Sequence, residues 1–144
     1  MFRGALDMVT ALDVDANALI GKVAEKLKTM KINKPAFVGL VKSGSHTERP
    51  PEQEDFWYIR CASILRKAYL EGTIGTNRLR THYGGRKSRG VKPQVHRKAG
   101  GSTIRKAMQE LEKVGLLKKE KVGRTLTPAG RKLLDAAAKE VMKK

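Results

Sequence analysis

From Glu54 to Leu70 the sequence reads as a helix that is apolar on most of its sides. Trp57, Tyr58, Cys61, Ala62, Ile64, Leu65, Ala68 and Tyr69 fill about half of its circumference at the helical period, and Phe56, Ile59 and Leu70 add apolar surface elsewhere. A helix of this kind must be covered by other elements, so it belongs at the centre of a mainly helical domain. Its one narrow polar stripe holds Arg60 and Lys67, with Phe56 and Ser63 beside them and Arg66 at another edge.

The neighbouring segments supply the covering helices. Asp13 or Asp15 caps a helix whose buried face is Ala16, Leu19, Ile20, Val23, Ala24 and Leu27, with Lys26, Lys28 and Lys31 near its negative end. Pro35 opens a short helix through Val41, and Ser43 to Glu52 reads as a loop. After a break at Gly72 to Gly75, Thr76 caps a short helix over Asn77 to Tyr83, ended by Gly84 and Gly85.

Residues 85–101 hold Arg86, Lys87, Arg89, Lys92, Arg97 and Lys98, with Pro93 and four glycines, and no apolar period. The segment is expected to be a basic loop that orders on binding. Ser102 caps the next helix, which buries Ile104, Ala107, Met108, Leu111 and Val114 and turns Arg105, Lys106, Gln109 and Lys113 outward until Gly115. Leu116 to Lys119 and Thr125 to Leu126 pair as a hairpin around Val122 and Gly123. Thr127 and Pro128 start a last helix that buries Leu133, Leu134, Ala137, Ala138 and Val141.

The expected fold is therefore all-α, mainly helical, with a short C-terminal β-hairpin, in one domain over residues 1–144. Helix, short helix, helix and hairpin in that order is the plan of a winged helix-turn-helix. The helix from Thr103 to Val114 then stands in the place of a recognition helix.

Charge narrows the function. The formal net charge is +17 on 144 residues, and self-repulsion on that scale calls for a polyanionic partner. Residues 72–109 carry ten basic and no acidic side chains, a localised footprint for phosphates. No apolar stretch approaches the ~20 residues of a membrane-spanning helix, and the start of the chain does not read as a secretory signal. A single cysteine, Cys61, forms no internal disulfide and suits a reducing, intracellular setting.

Catalytic readings are weak. Cys61 falls on the most buried arc of the central helix and reads as a core thiol. His46, His82 and His96 have no metal-ligand spacing, and no cysteine pair exists, so neither metal nor cofactor is expected. Glu54 and Asp55 suit a helix start better than acid–base work. No Gly-Lys-Ser or Gly-Lys-Thr step is present for a phosphate-cradling loop.

The expected RNA contacts are Arg86, Lys87, Arg89, Lys92, Arg97 and Lys98 from the loop and Arg105, Lys106, Gln109 and Lys113 from the helix. Arg60, Lys67, Arg78 and Arg80 form a second tier. Tyr83 either stacks on an unpaired base or anchors the short helix in the core. Arg60 either binds phosphate or pairs with an acid such as Glu54. A winged-helix DNA-binding regulator is the rival reading. The long diffuse basic segment and the lack of a spare apolar dimerisation helix count against it.

Several separate motifs resemble one family. The run Asp55-Phe56-Trp57-Tyr58-Ile59-Arg60-Cys61-Ala62-Ser63 is followed by Leu65-Arg66, Tyr69-Leu70, Tyr83-Gly84-Gly85-Arg86, Gly90-Val91 and Pro93. Ile104-Arg105-Lys106, Leu111-Glu112 and Leu126-Thr127-Pro128-Ala129-Gly130 complete the set. In this order they resemble small-subunit ribosomal protein number nineteen of the archaeal–eukaryotic type, over essentially the whole chain. The bacterial protein of that number is unrelated.

The resemblance implies a non-enzymatic, cytoplasmic, ribosome-associated protein without cofactor. It would be a monomer within the ribosome, in the head of the small subunit. There it would bind small-subunit ribosomal RNA beside neighbouring head proteins and serve subunit maturation. It also implies importance for Phe56, Arg60, Arg66 and Arg105 in folding or RNA contact. Cys61 stands where the family pattern expects alanine, and the short C-terminus is closer to archaeal members.

Overall fold

A computed structural model describes residues 10–30, 56–99, 101–121 and 123–142. The helix expected from Pro35 and the loop from Ser43 to Glu52 lie outside the described residues. A 3-10 turn, Ala11–Asp13, leads into α1, Ala16–Thr29. Then follow α2 (Phe56–Glu71), β1 (Thr73–Ile74) and α3 (Thr76–Tyr83). A hairpin of β2 (Gly85–Arg89) and β3 (Lys92–Arg97) comes next, then α4 (Gly101–Lys113). A second hairpin of β4 (Leu117–Glu120) and β5 (Gly123–Leu126) precedes α5 (Pro128–Met142).

The central position of α2 follows from its composition. Trp57, Cys61, Ala62, Ile64, Leu65 and Ala68 are buried on it, and α1, α4 and α5 all pack against it. From α1 come Leu19, Val23, Ala24 and Leu27, a stripe at helical spacing. The Asp15 carboxylate accepts the Ala18 N–H at 3.2 Å, which caps that helix. From α4 come Ile104, Ala107, Met108 and Leu111, and from α5 Leu134, Ala137 and Ala138. Leu133 and Val141, expected in the core, are half-buried at its edge.

The end of α4 is a closed motif. Gly115 takes φ +86°, its N–H donates to Glu112 O at 3.1 Å, and the Leu116 N–H donates to Leu111 O at 3.0 Å. These two bonds satisfy carbonyls that a helix end leaves open. Thr127 then joins two elements. Its hydroxyl donates to Gly115 O at 2.7 Å and accepts the Gly130 N–H at 3.2 Å, capping α5 in the turn that Pro128 opens.

The strands hold three departures from expectation. Residues 85–97 are not a loop but an antiparallel hairpin. Its ladder is made by backbone groups and needs no apolar side chains, so no alternation marks it. Pro93 is tolerated because in a two-stranded ribbon each strand has a free edge. The break at Gly72 contains a strand, β1, which pairs Thr73 with Thr125 and Ile74 with Arg124 and extends the second hairpin into a sheet of order β1-β5-β4. Two helix starts also shift: Gly75, not Thr76, occupies the cap of α3, and α4 begins at Gly101, which places Ser102 inside its first turn.

Candidate nucleic-acid interface

Helix α4 presents cations because its other face is committed. Thr103, Ile104, Ala107, Met108 and Leu111 are buried, and the helical period turns Arg105 and Lys106 fully outward. Gln109 is half-buried, and exposed Lys113 is bonded to Glu110 at 3.2 Å. The stripe is thus strongest at the first half of the helix, next to the β2–β3 hairpin in sequence.

Cross-strand pairing sorts the side chains of that hairpin. Arg86 pairs with His96, and both are exposed. Lys87 pairs with Val95, and both are half-buried. Arg97, Lys98 and Lys92 are exposed. Among the described residues no ion pair engages Arg78, Arg86, Lys87, Lys92, Arg97, Lys98, Arg105 or Lys106. The side chain of Arg89 lies outside the described residues.

The root of the hairpin is tied to α3. Arg80 Nε donates to Ala99 O at 2.9 Å, and the Ala99 N–H donates to Arg80 O at 2.8 Å. At Gly84 the chain passes so close to Arg97 O, Arg80 O and Lys98 Cα that a Cβ would collide with backbone. Gly101 packs against the Arg80 side chain. Arg80, expected as a phosphate contact, therefore commits its Nε to the chain just past the end of β3. Sequence reasoning missed this clamp, and the only signal for it is the Gly84-Gly85 doublet, which also reads as a helix stop.

Tyr83 and Arg60 meet beneath this root. The Arg60 guanidinium lies 4.0 Å from the Tyr83 ring centroid and 5.1 Å from that of Phe56. The Tyr83 hydroxyl is 2.6 Å from Ser63 Oγ, and its ring meets His82 edge-on at 4.8 Å. Burial pulls the Arg60 pKa below its ordinary value, opposed by Tyr83, and burial pushes the Tyr83 phenol up, opposed by Ser63 and Arg60. Of the two roles open to Tyr83, this geometry is that of the anchor. Arg60 finds aromatic faces, and Glu54 lies outside the described residues.

The remaining candidates are dispersed. Lys67 is bonded to Glu71 at 3.2 Å on α2, and Arg78 is exposed on α3. Arg66 is half-buried, and its Nε makes no hydrogen bond among the described residues. Burial pushes the Cys61 thiol up to about 12, with Glu110 adding to the shift, which makes it a core group with little thiolate. Among the described residues no cluster of three or more His, Cys, Asp or Glu side chains could hold a metal ion, and no helix is long and apolar enough to cross a membrane.

With this geometry in hand, known proteins are informative. The family described as ribosomal protein S19e matches residues 10–144. Small ribosomal subunit protein eS19 of Aeropyrum pernix is 51% identical, covering 94% of this chain and 91% of that one. The eS19 protein of Thermoplasma volcanium is 43% identical over 94% of this chain and 91% of its own length. The fungal eS19 of Emericella nidulans is 42% identical over 91% and 90% respectively.

Proposed function

Because the chain belongs to the ribosomal protein S19e family, we propose that it is a structural constituent of the small ribosomal subunit, acting in the cytoplasm on the ribosome and not as an enzyme. It binds small-subunit ribosomal RNA, and its phosphate contacts come from the β2–β3 hairpin and the outer face of α4. Arg86, Lys87, Arg89, Lys92, Arg97 and Lys98 serve from the hairpin, and Arg105, Lys106, Gln109 and Lys113 from the helix. Arg78 extends the surface. Arg80 acts through the hairpin root, Arg60 and Tyr83 hold the scaffold under it, and Lys67 is a peripheral contact.

One observation carries this reading. The acid-free segment 72–109 folds into β1, α3, the β2–β3 ribbon and the first part of α4, and its exposed Arg and Lys side chains have no acidic partners among the described residues. Such a surface repels itself and is relieved by polyphosphate. The chain works as a single unit and a monomer in the head of the subunit, touching neighbouring head proteins and supporting maturation. Sedimentation of cell lysate through a high-salt gradient tests this. Co-migration with the small subunit at salt that strips loose phosphate binders is expected. Recovery of the protein only in the free fraction would overturn it.

The element order supports a winged-helix architecture for this unit. Helix α2, strand β1, helices α3 and α4 and strands β4 and β5 come in this order, with the β2–β3 hairpin inserted between α3 and α4, and β1 joins the second hairpin at β5. That order also keeps a DNA-binding regulator in view as the second reading. Half-site recognition normally needs a dimer. A stable dimer on gel filtration, with duplex DNA bound in preference to ribosomal RNA, favours the regulator.

A further inference from the structure

Val91 stands at the tip of the β2–β3 hairpin, in the two-residue turn between the paired residues Arg89 and Lys92. Gly90 takes φ +71° there, which lets the turn close. Val91 is 105% exposed, whereas the other large apolar residues that reach solvent, Leu12, Met30, Leu70 and Met142, are 38% to 59% exposed. Val91 is thus the most exposed large apolar side chain among the described residues.

Its surroundings select the occupant. Arg86, Lys92 and Arg97 on the same arm are exposed cations, and no acid occurs anywhere from residue 72 to 109. A partner that covers Val91 must therefore be polyanionic and yet offer an apolar face. A nucleic-acid base between phosphates does both. A continuous A-form duplex does not, because its deep groove is too narrow for side chains to reach base faces. An unstacked nucleotide presents its face freely, and proteins that deform nucleic acid insert aliphatic wedges at such steps.

A wedge also needs a stiff arm. Five residues of β2 at about 3.3 Å each place the tip roughly 16 Å from the root. At that root the Arg80–Ala99 pair of hydrogen bonds and the close passage at Gly84 fix both strand ends to α3.

We propose that Val91 is a wedge that packs on an unstacked base, so the ligand of this arm is RNA in which a bulge interrupts a duplex. The inference rests on the RNA-binding reading above and names the feature that this surface selects.

The test uses the full chain and two synthetic hairpin RNAs that differ only by a three-nucleotide bulge carrying 2-aminopurine. Anisotropy titration should show the wild type preferring the bulged RNA by about fivefold or more, less than full burial of a Val side chain would supply, with a change in 2-aminopurine fluorescence. Val91→Ser should erase the preference and the fluorescence change while affinity for the uninterrupted duplex and its salt slope stay the same. Val91→Leu should keep both. Circular dichroism melting checks that each variant is folded, as expected for a side chain in solvent. If Val91→Ser retains the preference, or the wild type binds both RNAs equally, the wedge is wrong and the tip is left for a protein neighbour. If the wild type binds neither RNA at low salt, the RNA-binding reading fails with it.

Discussion

The guanidinium of Arg60 lies 4.0 Å from the centre of the Tyr83 ring, and Phe56 flanks it at 5.1 Å. The contact joins α2 to the last residue of α3, one position before the hairpin root at Gly84. A desolvated cation over an aromatic face contributes about 0.5–2 kcal/mol. Arg60→Ala should therefore lower stability by about 1–2 kcal/mol in urea unfolding, with an unchanged m-value. Arg60→Lys should recover only part of this, because a compact ammonium lacks the planar stacking surface. Tyr83→Phe should cost about 1 kcal/mol through the lost Ser63 bond. An Arg60→Ala variant with wild-type stability would remove this residue from the scaffold.

Gly130 tests how closely α5 sits on the second hairpin. A Cβ at this buried glycine would lie 2.7 Å from Leu116 O and 2.7 Å from Leu126 Cδ1. The backbone carbonyl cannot move aside, because it also accepts the Thr127 N–H at 3.1 Å. Helix propensity alone favours alanine over glycine, but overpacking costs about 1–3 kcal/mol. Gly130→Ala should thus be net destabilising, read as a lower thermal midpoint. A rise in the midpoint would mean that the α5–hairpin contact is looser than these distances.

Cys61 gives a pH signature. Its thiol is held up to about 12 in the folded chain by burial first and by Glu110 second, against 9.0 for the free group. The folded state therefore disfavours the thiolate. The contribution of this group to stability is intact below about pH 9 and is lost as pH rises from there through about 12. Cys61→Ala should flatten that part of the stability profile relative to the wild type. At pH 8 the native chain should also resist a thiol reagent that labels it fully in denaturant. Rapid labelling of the native protein would show that the core around Cys61 opens readily.

The parts of this fold that were legible in the sequence are those that bury apolar side chains locally. Leu19, Val23 and Leu27 repeat at helical spacing and mark a helix face, and Thr127-Pro128 announces the start of α5 through its own chemistry. The β2–β3 hairpin left no such mark, since of its paired positions Val95 alone is aliphatic, and its stability comes from a backbone ladder. Strand β1 was invisible because its partners, Thr125 and Arg124, are distant in the chain, and two residues carry no period. The site was legible as charge but not as geometry. Counting cations makes Arg80 a second-tier phosphate contact, whereas the acceptor that occupies the Arg80 Nε is a backbone carbonyl, Ala99 O, which no composition reveals.

That distinction between cations predicts different behaviour on RNA. Arg86 and Arg105 are exposed and form no ion pair among the described residues. Replacing both with alanine should leave the melting curve within about 0.5 kcal/mol of the wild type, as for surface changes away from packed features. Binding to small-subunit ribosomal RNA should weaken, and the salt dependence of log K should shallow by about one unit per phosphate contact removed. Arg80→Ala should also weaken binding, but by a different route. It removes one of the two Arg80–Ala99 bonds and leaves the backbone one, so the hairpin root loosens and amide exchange in residues 85–97 should accelerate in the absence of RNA. If the Arg86→Ala and Arg105→Ala pair unfolds the chain, these arginines belong to the scaffold. If Arg80→Ala shallows the salt slope and leaves hairpin exchange untouched, Arg80 is a direct phosphate ligand and the clamp is incidental.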